Sequence, residues 1–211
     1  MATFDERARD WDTPDRIARA AEVAAAVRAA VPLTSSMRAI EIGAGTGLLG
    51  LDLAGDLGSM LLTDPSTGML DVATEKIQHS RLSTIAATRY DLLNDPAPGD
   101  GFDLLVSLLV LHHLDDTAAA FRTFYGLLGP GGLIALADLD KEDGTFHDAD
   151  AEGIHHLGFD RDGVQALARQ AGFVDIAFST ATSIEKDGRT YPLFLLAARR
   201  PAVAEASASI G

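Results

Sequence analysis

The chain contains no cysteine. Disulfides, zinc–thiolate sites and thiol catalysis are thereby excluded, although no compartment is named. Basic residues are few: 17 Lys and Arg stand against 31 Asp and Glu, a formal net charge of −14. Such a surface repels a phosphate backbone, so nucleic acid is a poor substrate for it. No apolar run approaches the ~18 residues of a membrane span. The first residues, M-A-T-F-D-E-R-A-R-D-W, carry charge where a signal peptide needs an apolar core. The expectation is a soluble, cytoplasmic protein without a membrane partner. There is no internal repeat and no linker between two large domains. With 211 residues, 47% of them hydrophobic, the chain suits one domain with a substantial core.

The densest signal is Ala39 to Leu49, A-I-E-I-G-A-G-T-G-L-L. Apolar residues with an acid among them run into glycines at alternate positions, Gly43, Gly45 and Gly47, with Ala44 between, and then into a leucine-rich helical pattern. This reads as strand, tight turn and helix start. Alternate glycines permit positive φ and let a ligand lie against the main chain without a Cβ in the way. The first helical turn adds unpaired N–H groups, which suits a nucleotide-like ligand. Two templates fit. From Gly45, the residues Gly45, Gly47 and Gly50 satisfy the dinucleotide pattern G-x-G-x-x-G. From Glu41 the pattern is E-x-G-x-G-x-G, with a carboxylate that is costly to bury unless something binds it. The first template leaves Glu41 and Gly43 without a role, which favours the second.

The rest of the chain alternates strands and helices. Residues 1 to 12 read as an arm with aromatic anchors Phe4 and Trp11. Thr13-Pro14 caps a helix whose apolar positions run from Ile17 to Val31, and Pro32 ends it. After the glycine loop and its helix, Ser59 to Thr63 forms a second strand that ends at Asp64-Pro65-Ser66. Two carboxylate oxygens at Asp64 are suited to the two hydroxyls of a ribose. A helix over 67–78 and a third strand follow, the latter ending at Tyr90-Asp91-Leu92. Phe102 to Ser107 is a fourth strand, continuous enough in apolar character to be buried on both faces. Asp115 or Asp116 caps a helix that L-G-P-G-G (Leu128 to Gly132) closes, before a fifth strand over Leu133 to Ala137. Asp138 stands at that strand's carboxyl end, on the rim where such sheets bind ligands. A long polar loop over 138–158 follows. A helix capped by Asp160 and stopped by Gly172 leads into a strand to about Ser179 and, after the turn signal K-D-G-R, a last strand, and the two read as an antiparallel hairpin. Residues 200–211, rich in Ala and Ser, read as a flexible tail.

The order and spacing of these motifs resemble those of class I S-adenosylmethionine-dependent methyltransferases of small-molecule type, over about Phe4 to Arg199. The resemblance implies an α/β, Rossmann-like three-layer sandwich. Its seven-stranded, mostly parallel sheet has the order 3-2-1-4-5-7-6 and an antiparallel last strand. It implies S-adenosylmethionine as cofactor and S-adenosylhomocysteine as product. Glu41 would help fix the glycine loop (Gly43, Ala44, Gly45, Gly47) and the ligand's methionyl ammonium. Asp64 and Pro65 would border the ribose, and Met69, within D-P-S-T-G-M-L, would lie against adenine. Asp91 would accept from the adenine amine, with the backbone of Leu92 beside the ring. Ser107 and Leu108 would border the reacting sulfonium, and Trp11, in F-D-x-x-A-x-x-W-D, would belong to a lid over the cofactor.

Methyl transfer from a sulfonium has a good leaving group, so the protein must chiefly align nucleophile, carbon and sulfur in a dry site. If a base is used, His147, His155 or His156 on the long loop is the expected one. His112 and His113, in a strand-to-helix connection, suit a hydrogen-bonded packing role better than a metal or general-base one. Asp138 with the loop histidines has no diagnostic metal spacing, and no metal is expected. The expected partner is a small-molecule substrate, and the protein is a monomer or homodimer. Two rival readings stay open: an NAD(P)-dependent oxidoreductase, and an S-adenosylmethionine-binding protein that acts on a protein acceptor or does not catalyse.

Overall fold

The computed structural model describes residues 3–80, 83–147 and 153–202. Part of the long polar loop, 148–152, and the tail beyond 202 therefore lie outside the described residues. Seven strands form one sheet of order β3-β2-β1-β4-β5-β7-β6. In chain order they are β1 (Arg38–Ile42), β2 (Ser59–Asp64), β3 (Ile85–Arg89), β4 (Phe102–Leu108), β5 (Leu128–Leu139), β6 (Val174–Lys186) and β7 (Arg189–Arg199). The first five run parallel, and β7 lies antiparallel to both β5 and β6. This is the order and direction expected from the motifs.

Strand alternation sorts the core into two layers. Ile40, Ile42 and Leu105 face helices α5 (Thr117–Leu127) and α6 (Arg161–Ala171), packing with Phe121, Phe124, Val164 and Ala168. Ala39, Leu104 and Val106 face the other way, onto α2 (Pro14–Ala30), α3 (Leu48–Leu53) and α4 (Thr67–Ser80). Both faces of β1 and β4 are thus covered, which is why their sequences are almost uninterrupted apolar runs. Helix boundaries follow local signals. Thr13 accepts from Arg16 N ahead of Pro14, Asp116 accepts from Ala119 N, and Asp160 accepts from Asp162 N. Gly172, at φ 102°, ends α6.

Two boundaries differ from the sequence reading. The stretch Leu128 to Gly132, expected as a helix stop, belongs to β5: Leu128 pairs with Phe102 before the register shifts to Leu104 opposite Leu133. Backbone bonds to Arg200 at Gly131 N and Gly132 O hold this stretch extended. The hairpin strand β6 runs on to Lys186 instead of ending near Ser179. Its turn places Asp187 and Gly188 at φ 53° and 72°, a combination matched to the right-handed twist of long paired strands.

Candidate functional site

The carboxyl ends of β1, β2 and β4 open into a cavity of about 670 Å³, within the range of small-ligand pockets. It is bounded below by the glycine loop and above by the arm, which folds as a short helix α1 (Phe4–Arg7) and a single 3-10 turn. Glu41, expected toward the ligand, lines this cavity and is 2% exposed. One oxygen accepts from Gly50 N at 2.9 Å; among the described residues its carboxyl has no other hydrogen bond. Burial pushes Glu41 up to about 8, because little nearby rewards the charged form. Gly50 is required for this contact. A Cβ there would lie 2.3 Å from Glu41 Oε2 and 2.3 Å from Leu62 Cδ2. The third glycine of the dinucleotide pattern therefore serves helix-to-acid packing.

Gly43 and Gly45 take φ 66° and 54°, a region that only glycine enters freely. A Cβ on Gly43 would come 2.3 Å from Val110 Cγ2, while the face of Gly45 lies under Trp11 Nε1 and Met69 Sδ. Ala44 joins them on the cavity wall. Gly47 does not: it caps α3 at φ 83° and faces Leu62 in the core. Asp64 Oδ2 accepts from Gly45 N at 2.7 Å and Oδ1 from Ser66 N at 2.8 Å. Its carboxylate thus locks both loops, keeping free lone pairs for a ligand. Burial nonetheless raises it from the ordinary aspartate value. Pro65 and Met69 complete that wall, and Asp91 and Leu92 lie at the same end. Asp91 turns its carboxylate to its own turn, accepting from Leu93 N, Asn94 N and Asn94 Nδ2. Leu108 lines the cavity and Ser107 does not: the buried Ser107 hydroxyl donates to Ile42 O at 2.9 Å, tying β4 to β1.

The arm is fastened by specific bonds. Asp5 accepts from Ser66 Oγ at 2.6 Å and Gly68 N at 2.7 Å, and these donors hold its carboxyl below the usual range. Thr46 Oγ1 donates to Asp12 at 2.5 Å, and Lys76 pairs with the same carboxylate. Phe4 meets Trp11 at 5.7 Å and His113 at 5.6 Å between centroids. Three cations line this roof, Arg7, Arg16 and Arg19, and none forms an ion pair among the described residues. Arg16 lies over Trp11 at 4.0 Å. Burial and then a neighbouring arginine lower Arg16 and Arg19. In the sequence, Arg16 and Arg19 are hidden by the apolar stripe that marks α2, and Arg7 by the aromatic anchors that mark the arm.

The histidines divide sharply. His147 and His155 line the cavity, but His156 does not; its Nε2 is bonded to Leu114 O at 2.9 Å. Backbone N–H groups of His155 and His156 both donate to His112 O, docking the loop on the turn that follows β4. That turn begins at Leu109, held at φ 57°, a strained conformation for a γ-branched residue beside a cavity. It carries His112 and His113 to the wall. His112 is 2% exposed, with Nδ1 2.7 Å from Asp138 Oδ1. His113 bonds Gly153 O through Nδ1, and burial lowers it to about 4. His147 is lowered too, by burial first and then by His112. Among the described residues no group of three His, Asp or Glu is placed to hold a metal ion.

Residues 40–134 match a family model described as a methyltransferase domain. The chain is 29% identical over 151 residues to an uncharacterized methyltransferase of Schizosaccharomyces pombe, covering 65% of this chain and 53% of that protein. It is 32% identical over 108 residues to one of Mycobacterium bovis, covering 51% and 53%. The chain thus spans about half the length of the curated relatives it matches. The solved structure of Haemonchus contortus phosphoethanolamine N-methyltransferase 2 in complex with S-adenosyl-L-methionine aligns with a TM-score of 0.72 at 17% identity, over 95% of this chain and 60% of that one. That likeness is one of fold. Sheet order and a glycine loop opening under the β1, β2 and β4 ends agree with the family match: over residues 40–134 the chain is similar to methyltransferase domains, and it shares their α/β fold.

Proposed function

We propose that the protein transfers a methyl group from S-adenosylmethionine to a small-molecule acceptor held in the 670 Å³ cavity. The observation that carries this reading is Glu41, a buried acid on the cavity wall with a single hydrogen bond among the described residues and a pKa raised to about 8. A buried carboxyl so poorly partnered gains most from a cationic donor, and the methionyl ammonium is one. Bound S-adenosylmethionine would supply an electrophilic methyl group with a neutral thioether as leaving group.

The protein's own residues do the rest. Asp64 would take the ribose hydroxyls while keeping the Gly45 peptide in place. Met69, Pro65 and Leu92 would enclose the adenine. Phe4 and Trp11 roof the cavity, and with ligand beneath they would limit water there, which would strengthen polar contacts and favour an in-line geometry. Arg7, Arg16 and Arg19, cations crowded together with no ion pair among the described residues of an acidic protein, favour an anionic group below them. The methionyl carboxylate and a carboxylate or phosphate on the acceptor both qualify. The roofed cavity and the acidic composition together favour a small acceptor over nucleic acid.

Isothermal titration with S-adenosylhomocysteine, run beside NAD, tests the cofactor, and product analysis of small-molecule pools incubated with labelled S-adenosylmethionine tests the acceptor. Micromolar binding of S-adenosylhomocysteine alone is expected. Asp64→Ala should weaken it by about 1–3 kcal/mol, the scale of a charged hydrogen bond. Binding of NAD in its place would overturn the reading.

A further inference from the structure

The expected base was one of three histidines on the loop after β5, and the geometry of each speaks against it. His156 spends Nε2 on a backbone carbonyl. His155 lines the cavity, but no carboxylate orients its ring among the described residues. His147 has its Nε2 buried without a hydrogen-bond partner, and burial weakens it as a base. His112 differs from all of these. Asp138 Oδ1 lies 2.7 Å from its Nδ1, and the carboxylate is itself fixed by two backbone donors, Leu139 N to Oδ1 at 2.7 Å and His112 N to Oδ2 at 3.3 Å. A carboxylate accepting on both oxygens assigns the Nδ1 proton to His112. Nε2 then carries the lone pair. It has no hydrogen-bond partner among the described residues, and the residue lines the cavity. This is the arrangement of an oriented base: one ring nitrogen held by a buried acid, the other open to the site.

We infer that His112 is the general base of the transfer and Asp138 its positioning residue, so that the acceptor is a molecule whose reacting oxygen or nitrogen carries a proton. The inference rests on the methyltransferase reading above. The acceptor atom forms its bond to the methyl carbon, the C–S bonding pair stays on sulfur, and the acceptor's O–H or N–H proton passes to His112 Nε2. The imidazolium so formed lies against Asp138, then gives its proton to water. The strained Leu109 has a use in this scheme, because it turns the chain off β4 so that His112 meets the end of β5. The other titratable groups facing His112 are His113 on its own turn and His147 from the loop. Both are held toward the neutral form by burial, so neither competes for the proton.

Two measurements on the full chain test this. Histidine side-chain ¹⁵N NMR, with S-adenosylhomocysteine bound, should show His112 as the Nδ1–H tautomer, and Asp138→Asn should abolish that bias. A proton on Nε2, or a tautomer indifferent to Asp138, overturns the assignment whatever the acceptor. The second measurement is turnover of S-adenosylmethionine with catechol, 4-nitrophenol, ethanolamine and glycine as probes. With any productive probe, His112→Gln should lower kcat by about 100-fold or more and remove the acidic limb of the pH profile, with S-adenosylhomocysteine affinity kept within about threefold. An already ionised 4-nitrophenol should lose far less than catechol. A kcat loss below about threefold, or equal losses with both phenols, overturns the role of base. Intact cofactor binding in those cases separates failure of this inference from failure of the methyltransferase reading; if no probe turns over, the tautomer decides.

Discussion

Glu41 is the residue at which the cost of a buried acid bears on stability, on the wall of the cavity. Its folded-state pKa of about 8 lies above the ordinary 4.5, so the folded protein holds a proton that the unfolded chain releases. Stability is therefore greatest below the ordinary value and is lost as pH rises toward 8, by up to about 1.4 kcal/mol per unit. Glu41→Gln should flatten that fall: denaturant unfolding at pH 5 and pH 8 should show a smaller loss in the variant than in the parent. If the two lose equally, the acid is not buried as described. His113 acts at the other end of the scale. Lowered to about 4, it favours the folded state less as pH drops from about 6.5, where the unfolded imidazole takes up a proton first. Gly43 supplies a purely steric test. At φ 66°, with a Cβ 2.3 Å from Val110, Gly43→Ala should cost about 1–3 kcal/mol in stability. It should also weaken S-adenosylhomocysteine binding, because the strain is released only by moving the cavity floor. Melting with and without S-adenosylhomocysteine separates the two effects.

At the level of elements, the arm is attached to the sheet domain by a few polar anchors and one aromatic cluster. Asp5 on the start of α4, Asp12 on Thr46 and Lys76, and Phe4 with Trp11 over Gly45 account for it. Few of these contacts belong to the two large apolar layers, so the arm is the least costly element to release. Removing residues 2–12 should leave the far-UV spectrum and the unliganded melting temperature nearly unchanged. S-adenosylhomocysteine affinity should fall at least about tenfold, the scale of one lost ligand contact of 1.4 kcal/mol. Trp11 is the only tryptophan and lines the cavity, so its fluorescence should respond to S-adenosylhomocysteine in the intact chain. A flat titration alongside calorimetric binding would place the ligand away from the arm. The β6–β7 hairpin is fixed differently, by a long ladder and the Asp187-Gly188 turn, and no effect on cofactor affinity is expected from changes at that turn.

For the molecule as a whole, charge is the dominant long-range feature. A formal charge of −14 opposes compaction, and exposed pairs such as Arg28 with Asp52 and Asp56 offset it only locally. Screening should therefore stabilise the fold: raising monovalent salt from 10 to 200 mM should lift the unliganded melting temperature by about 2–4 °C, the equivalent of 1 kcal/mol at this chain length. A fall in melting temperature would mean that surface ion pairs outweigh the net repulsion. The same field repels anions except where cations gather, and the roof arginines are one such place.

Much of this was readable along the chain because it depends on local chemistry. Strand, loop and helix around Glu41 to Leu49 follow from alternate glycines after an apolar run. The caps at Thr13 and Asp160 follow from side chains that reach their own backbone, and the closing hairpin follows from a turn that needs two positive-φ residues. Even the acid at Asp64 was placed by its position at the end of the second strand. Folding alone could settle how side chains distant in sequence share their hydrogen-bonding capacity. Asp91 and Ser107 stand near the cavity in sequence terms, yet each gives its polar atoms to neighbouring backbone, and Gly47 turns to the core. Gly50 serves Glu41, nine positions away. His112 and Asp138, 26 residues apart, meet because β4 and β5 are adjacent and Leu109 bends the chain between them. No periodicity encodes that pairing: it arises from strand adjacency and from the cost of burying an acid and an imidazole unless each satisfies the other.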